Sequence, residues 1–280
     1  MTSNDAGLSV PDWPTTFGSL YKLPPMVGGV KFEHGHRVVA EFIGLMTIIM
    51  AIWTWRVERR SWVRKLAVSA IGVVIAQGIL GGLTVLYFLP PAVSTAHATL
   101  GQTFFCIMVA LAVVTSREWL ETSTMPENNK PKLNGLATLA TAAVYVQLIL
   151  GAGFRHSGIK LLPHLISAVF VTIVLLWTIL RVLTHYAGVP ALRRSAAFLL
   201  VLLMVQLSLG FASYLTRVQW GRSAVQPELP MVISTVAHVA VGALLLATTL
   251  VLTMQCRRYA TSEVQERVSS AAQARRIVAA

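Results

Sequence analysis

The sequence predicts an all-α integral membrane protein: seven transmembrane helices forming two pseudo-repeated four-helix-bundle halves, the first lacking its initial helix. Three observations lead there. Seven apolar stretches approach membrane-spanning length, at roughly 38–55, 66–88, 93–115, 135–154, 161–180, 195–215 and 231–254. The basic residues alternate between crowded and sparse loops. A Gln-x-x-x-Gly pattern and a pair of histidines recur in each half of the chain.

Each stretch is close to the ~20 residues that a helix needs to cross ~30 Å of hydrocarbon. Inside lipid the backbone must satisfy its own hydrogen bonds, so stretches of this length read as helices. With 55% apolar and 12% charged residues and a mean hydropathy of +0.67, a soluble globular domain is excluded.

The net charge of +12 is a topology signal. One set of loops and the tail hold Arg56, Arg59, Arg60, Arg64, Lys65, Arg117, Lys130, Lys132, Arg181, Arg193, Arg194 and the arginines 257, 258, 267, 275 and 276. The other set holds Lys22, Lys31, Arg37, Arg155, Lys160, Arg217 and Arg222. Sixteen against seven assigns the first set to the cytoplasm and leaves nothing to suggest nucleic acid.

Gln77 and Gly81, Gln147 and Gly151, and Gln206 and Gly210 repeat one spacing near the outer end of a helix rising from the cytoplasm. Taken singly, each reads as helix packing, because small residues allow close approach and Gln bonds across the interface. Their repetition implies two related halves. His36 precedes Gln77 by 41 residues and His164 precedes Gln206 by 42. The expected organisation is an N-terminal half over 1–115, a cytoplasmic linker over 116–134, a four-helix C-terminal half over 135–256 and a cytoplasmic tail over 257–280. The charged, Pro/Asn-rich linker marks the boundary. The partner of helix 135–154 is missing from the first half, so the coding sequence is expected to continue upstream with another apolar segment. Residues after Met1 have no charged n-region and apolar h-region, so no signal peptide is read there. Cys106 and Cys256 lie far apart within or at the end of helices, and build no disulfide framework.

His36, His97, His164 and His238 fall at the non-cytoplasmic ends of their helices. Alone, each is a candidate for a structural role. As a set of four at one depth, they point to haem ligation, with two imidazoles facing across a bundle holding iron from both sides. Zinc sites draw ligands a few residues apart, whereas these pairs are separated by 61 and 74 residues. Ionisable groups at membrane depth default to functional hypotheses. Glu33 and His36 are i and i+3, so they share a face if the helix begins a turn early. Glu33 there could relay protons or position water, and Arg37 could pair with a propionate. The bland alternative is a helix-start acid with an interfacial Arg. Glu41 is expected to pair with Arg37, and His34 and His185 to lie in loops. Arg155 and His156 are weaker candidates for touching a propionate.

The residues AGLSVPDWP at 6–14, Glu33-x-x-His36-Arg37, QGILGG at 77–82, His97 before Leu100-Gly101-Gln102, and the His164 and His238 pair together resemble the haem A synthase family. The similarity runs over nearly all of 1–256, and the family's eight helices in two halves fit the missing first helix. The resemblance implies a haem b cofactor between His164 and His238, and substrate haem O between His36 and His97. It further implies oxidation of the haem O ring methyl to the formyl of haem A for terminal oxidases. Glu33 would be the essential carboxylate, with Arg37 on the substrate haem side and the loop of Asp12 and Trp13 over the site. The external cysteine pair of some members is absent from this sequence.

The expected setting is a bacterial inner membrane, with haem sites toward the non-cytoplasmic side. Expected partners are haem O and haem A, membrane lipid, haem O synthase, oxidase assembly factors and a second copy of the chain. The alternative class is a di-haem b-type electron-transfer cytochrome in which neither haem is altered. Glu33 beside one pair, with no carboxylate ahead of His164, favours unequal halves and hence the enzyme. A repeat-built transporter would need broken helices at the midplane, and no Gly/Pro-interrupted pair occurs there.

Overall fold

A computed structural model of the chain describes residues 6–20, 23–121, 125–126, 132–221 and 228–261. Seven long helices carry it: α1 (Val30–Val57), α2 (Ser61–Leu86), α3 (Pro91–Val114), α5 (Leu133–Arg155), α6 (Leu161–His185), α7 (Pro190–Ser213) and α8 (Leu229–Tyr259). A short α4 (Arg117–Glu121) lies between α3 and α5. All seven long helices are apolar enough to cross a membrane, which makes this a multi-pass membrane fold.

Helix starts follow local chemistry. Pro91 and Pro190 stand in the first turn of α3 and α7, where a missing N–H costs nothing. The largest departure from the sequence reading is α1, which starts at Val30 rather than 38. An apolar scan skips its first two turns because they carry Lys31, Glu33, His34, His36 and Arg37. Those residues are helical because Gly28, at φ +52°, turns the chain into the helix, and Glu33 favours its N-terminal end. His34 is therefore helical rather than in a loop, and His185 is the last residue of α6.

The expected linker is not wholly irregular. Ser116 Oγ accepts the Trp119 N–H at 3.2 Å, an N-cap that starts α4. Met125–Pro126 then pairs in parallel with Ala260–Thr261. The middle of the linker and the tail beyond Thr261, with Lys130, Arg267, Arg275 and Arg276, lie outside the described residues, as do Lys22 and Arg222.

Buried apolar side chains form two clusters. One joins α5, α6, α7 and α8 through Leu136, Leu175, Leu199 and Leu246; the smaller joins α1, α2 and α3 through Ala51, Val63, Ala67 and Leu111. They meet where α3 packs on α5 and α8. Thr103 on α3 and Tyr145 on α5 share a hydrogen bond of 2.7 Å at this seam. The Thr253 hydroxyl donates to the Ala137 carbonyl at 2.8 Å, tying α8 to α5. Side chains such as Phe42, Ile49 and Trp53 on α1 face outward, as lipid contact allows. Beyond Ser213, α7 widens into a π-helical turn (Tyr214–Trp220), pinned to α8 by Thr216 and Ser234 at 2.8 Å.

Candidate functional site

Two pairs of imidazoles form at one end of the helices. His36 on α1 faces His97 on α3 with ring centres 6.4 Å apart and planes at 69°. His164 on α6 faces His238 on α8, also at 6.4 Å, with planes at 82°. Two metal–imidazole bonds of about 2 Å, with roughly 1 Å from each nitrogen to its ring centre, put such rings about 6 Å apart. Each pair thus has the span of two ligands on opposite sides of one metal atom. Among the described residues, no three His, Cys, Asp or Glu side chains converge to hold a bare ion. Two ligands without equatorial companions suit an iron already held in a macrocycle.

Three of the four imidazoles rest on a glycine of the preceding helix. A Cβ at Gly81 would meet His97 Cε1 at 3.2 Å, one at Gly151 would meet His164 Cε1 at 2.9 Å, and one at Gly210 would meet His238 Cε1 at 3.1 Å. The glutamine four residues earlier reaches the same histidine in each case. Gln77 and Gln147 donate from Nε2 to the carbonyls of His97 and His164, both at 3.0 Å. Gln206 Nε2 lies 3.4 Å from His238 Nε2. Helix packing alone, as read from the sequence, misses this contact; its visible signal is that the repeats of glutamine and of histidine run together along the chain.

The first pair differs from the second in what lies beside it. Glu33, only 2% exposed, is three residues before His36 on α1. Its Oε1 pairs with Arg37 at 2.9 Å and its Oε2 accepts the Val10 N–H at 3.0 Å. Arg37 Nη1 donates to the carbonyls of Asp12 and Thr15, both at 2.8 Å. The expected Glu41–Arg37 pair is replaced by Glu33–Arg37, because Glu33 is buried beside the loop that Arg37 grips while Glu41 is exposed on α1.

The loop ahead of α1 folds over the start of α1 and the end of α2. Burial disfavours ionisation of Asp12, yet the Thr15 hydroxyl and the N–H groups of Gly18 and Phe17 outweigh it and hold the carboxyl below its ordinary value. The Trp13 ring covers Gly82 on α2 so closely that a Cβ there would collide with it. Thr16 Oγ1 lies 3.3 Å from His34 Nδ1, adding a further tie to α1.

His156 caps the end of α5. Burial pushes its imidazole below the ordinary value, and the charges of Arg155, His97 and Arg217 add to the shift.

The chain matches the family described as cytochrome oxidase assembly protein over residues 30–161. It is 30% identical over 243 residues to the haem A synthase of Symbiobacterium thermophilum, covering 75% of this chain and 77% of that protein. It is 30% identical over 203 residues to that of Shouchella clausii, covering 70% and 63%. Identity to that of Halalkalibacterium halodurans is 29% over 157 residues, covering 52% and 48%. The chain thus spans about half to two-thirds of the length of several curated relatives. No solved structure matches it.

Proposed function

The chain belongs to the haem A synthase family, and on that premise we propose that it is a haem-modifying oxidoreductase converting the ring methyl of haem O to the formyl of haem A. The substrate haem sits between His36 and His97, and a haem b cofactor between His164 and His238. When bound, haem b supplies one-electron transfer. The 6.4 Å separations support two axial ligands at each site.

The observation that carries the enzyme reading over the di-haem cytochrome is Glu33. A buried carboxylate stands beside one pair, and residues 159–163 ahead of His164 (Ile-Lys-Leu-Leu-Pro) offer none. Burying a carboxylate is costly unless it is paired and used. Arg37 and the Val10 N–H hold Glu33 in place, and its oxygens keep lone pairs with which to take a proton or orient water. Arg37 serves the substrate side by gripping the loop; binding a propionate as well would draw it from the Asp12 or Thr15 carbonyl. Trp13 packs on Gly82, next to the Gly81 that His97 rests on, which brings the loop to the edge of the first pair.

The proposed setting is a bacterial cell membrane with both sites toward the non-cytoplasmic face, by the distribution of Lys and Arg. Proposed partners are haem O synthase and the oxidase assembly machinery. The reading is tested by supplying haem O to the purified chain with a reductant and oxygen and following haem A by chromatography. Formation of haem A that stops in Glu33→Gln supports it, and unaltered haem O contradicts it.

A further inference from the structure

The Gln-x-x-x-Gly repeats do more than pack helices. We propose that Gln77, Gln147 and Gln206, each with the glycine four residues on, are positioning residues that set the tautomer and place of His97, His164 and His238. This inference rests on the haem-ligand reading above and adds the residues that make three of the ligands competent.

The argument starts from the helix backbone. In an α-helix the carbonyl of residue i bonds the N–H of residue i+4, and a side chain at i+4 ordinarily screens that carbonyl from a neighbour. With glycine at i+4 the screen is gone. At Gly81 the imidazole enters the notch, and His97 Nδ1 donates to the Gln77 carbonyl at 3.2 Å. Nδ1 therefore carries the proton, and Nε2 keeps the lone pair that a metal needs.

The second pair reaches the same state through the amide. Gln147 Nε2 lies 3.5 Å from His164 Nε2, and Gln206 Nε2 lies 3.4 Å from His238 Nε2. The His164 carbonyl fixes the Gln147 amide with its nitrogen as the donor, so the His164 lone pair is on Nε2 and its proton on Nδ1; the amide holds the metal's place and turns to that carbonyl alone when Nε2 is ligated. The amide orientation at Gln77 and Gln147 is fixed independently, since their partner is a backbone carbonyl that can only accept.

The fit is reciprocal. Gly101, four residues after His97, takes the Gln77 amide, and Gly242, four after His238, takes that of Gln206; a Cβ would meet them at 3.1 and 3.2 Å. His164 Nδ1 and His238 Nδ1 lie in the Gly151 and Gly210 notches, 3.2 and 3.6 Å from where a Cβ would stand, as the His97 ring lies in the notch at Gly81. An acceptor for Nδ1–H, as the Gln77 carbonyl is for His97, raises ligand basicity and fixes ring orientation, and the carbonyl tie from Gln147 fixes the backbone that carries His164.

The test is haem titration into the full-length chain in detergent, followed by optical and electron paramagnetic resonance spectra of the His164/His238 site. Gly151→Ala and Gln147→Leu should weaken haem binding by about tenfold or more and shift the low-spin g values, as loss of a ligand's hydrogen-bond partner does. Gly135→Ala, on the same helix with nothing within 4 Å of a Cβ, should change neither. Because Gly151→Ala could also disturb folding, Gln147→Leu decides: wild-type affinity and g values in that variant overturn the inference. His164→Ala separates the two layers. If it keeps the low-spin spectrum, the haem-ligand reading itself fails; if it loses that spectrum while Gln147→Leu is unchanged, only the positioning role fails.

Discussion

Glu33 and Arg37 meet at 2.9 Å one turn apart on α1, and both reach back to the loop that precedes their helix. The pair therefore has two separable duties. The Glu33 carboxylate is three residues from His36, and the pair's hydrogen bonds hold the loop against the start of α1.

The loop duty is tested at Arg37. Removing one partner of a buried pair leaves an uncompensated charge and costs about 3–5 kcal/mol. Arg37→Ala should release the segment around Val10, Asp12 and Thr15. Hydrogen exchange at the Val10 amide, which Glu33 accepts, should accelerate while the His164/His238 site keeps its haem spectrum. An equally protected Val10 amide would show that the loop is held by other means.

The packing of Trp13 on Gly82 gives a second handle on the loop. In Gly82→Ala the new Cβ would collide with the indole, so the ring must leave. Proteolysis within residues 6–20 should become faster, and turnover of haem O slower, with haem retention at the second pair unchanged. Trp13→Ala should reproduce the effect on turnover without adding to that of Gly82→Ala.

Asp12 sets the acid limit of the loop. Its folded value lies below the ordinary carboxylate value, so its contribution to loop order is complete above that ordinary value. The contribution is lost as pH falls through the lowered one. Protease resistance of residues 6–20 should therefore be constant from neutral pH down to the ordinary carboxylate range and decline only below it. In Asp12→Asn the loop should be more open at neutral pH, and the acid-dependent step should disappear.

At the second pair, His164→Ala and His238→Ala should each abolish the low-spin spectrum of tightly held haem b, because one axial ligand remains. Unchanged low-spin spectra in both would place the cofactor elsewhere.

How much of this is legible in the sequence varies with the physics of each feature. Helix number and the four histidines are readable because membrane spans announce themselves by length and ionisable residues stand out inside them. The start of α1 is hidden, since Glu33, His36 and Arg37 are polar residues within the first two turns of an apolar helix. Arg37 choosing Glu33 over Glu41 is also hidden, because both lie four residues away and only burial beside the loop decides between them. The contact of His164 with Gly151 is a tertiary fact: the repeat shows that both residues matter, and only the fold shows that they touch.

The central claim is that the first pair holds a haem to be altered and the second a haem that is kept. Acid extraction and chromatography of the haems bound to wild-type and Glu33→Gln protein tests it most directly. Glutamine keeps one acceptor oxygen and removes the charge paired with Arg37, so hydrogen exchange at the Val10 amide of the same variant reads loop order alongside the haem composition. The account predicts haem B with haem A or its precursors in the wild type. It predicts haem B with haem O or a partly oxidised form accumulating in the variant. Haem B alone at two equivalents in both proteins would contradict it and make the chain a di-haem cytochrome.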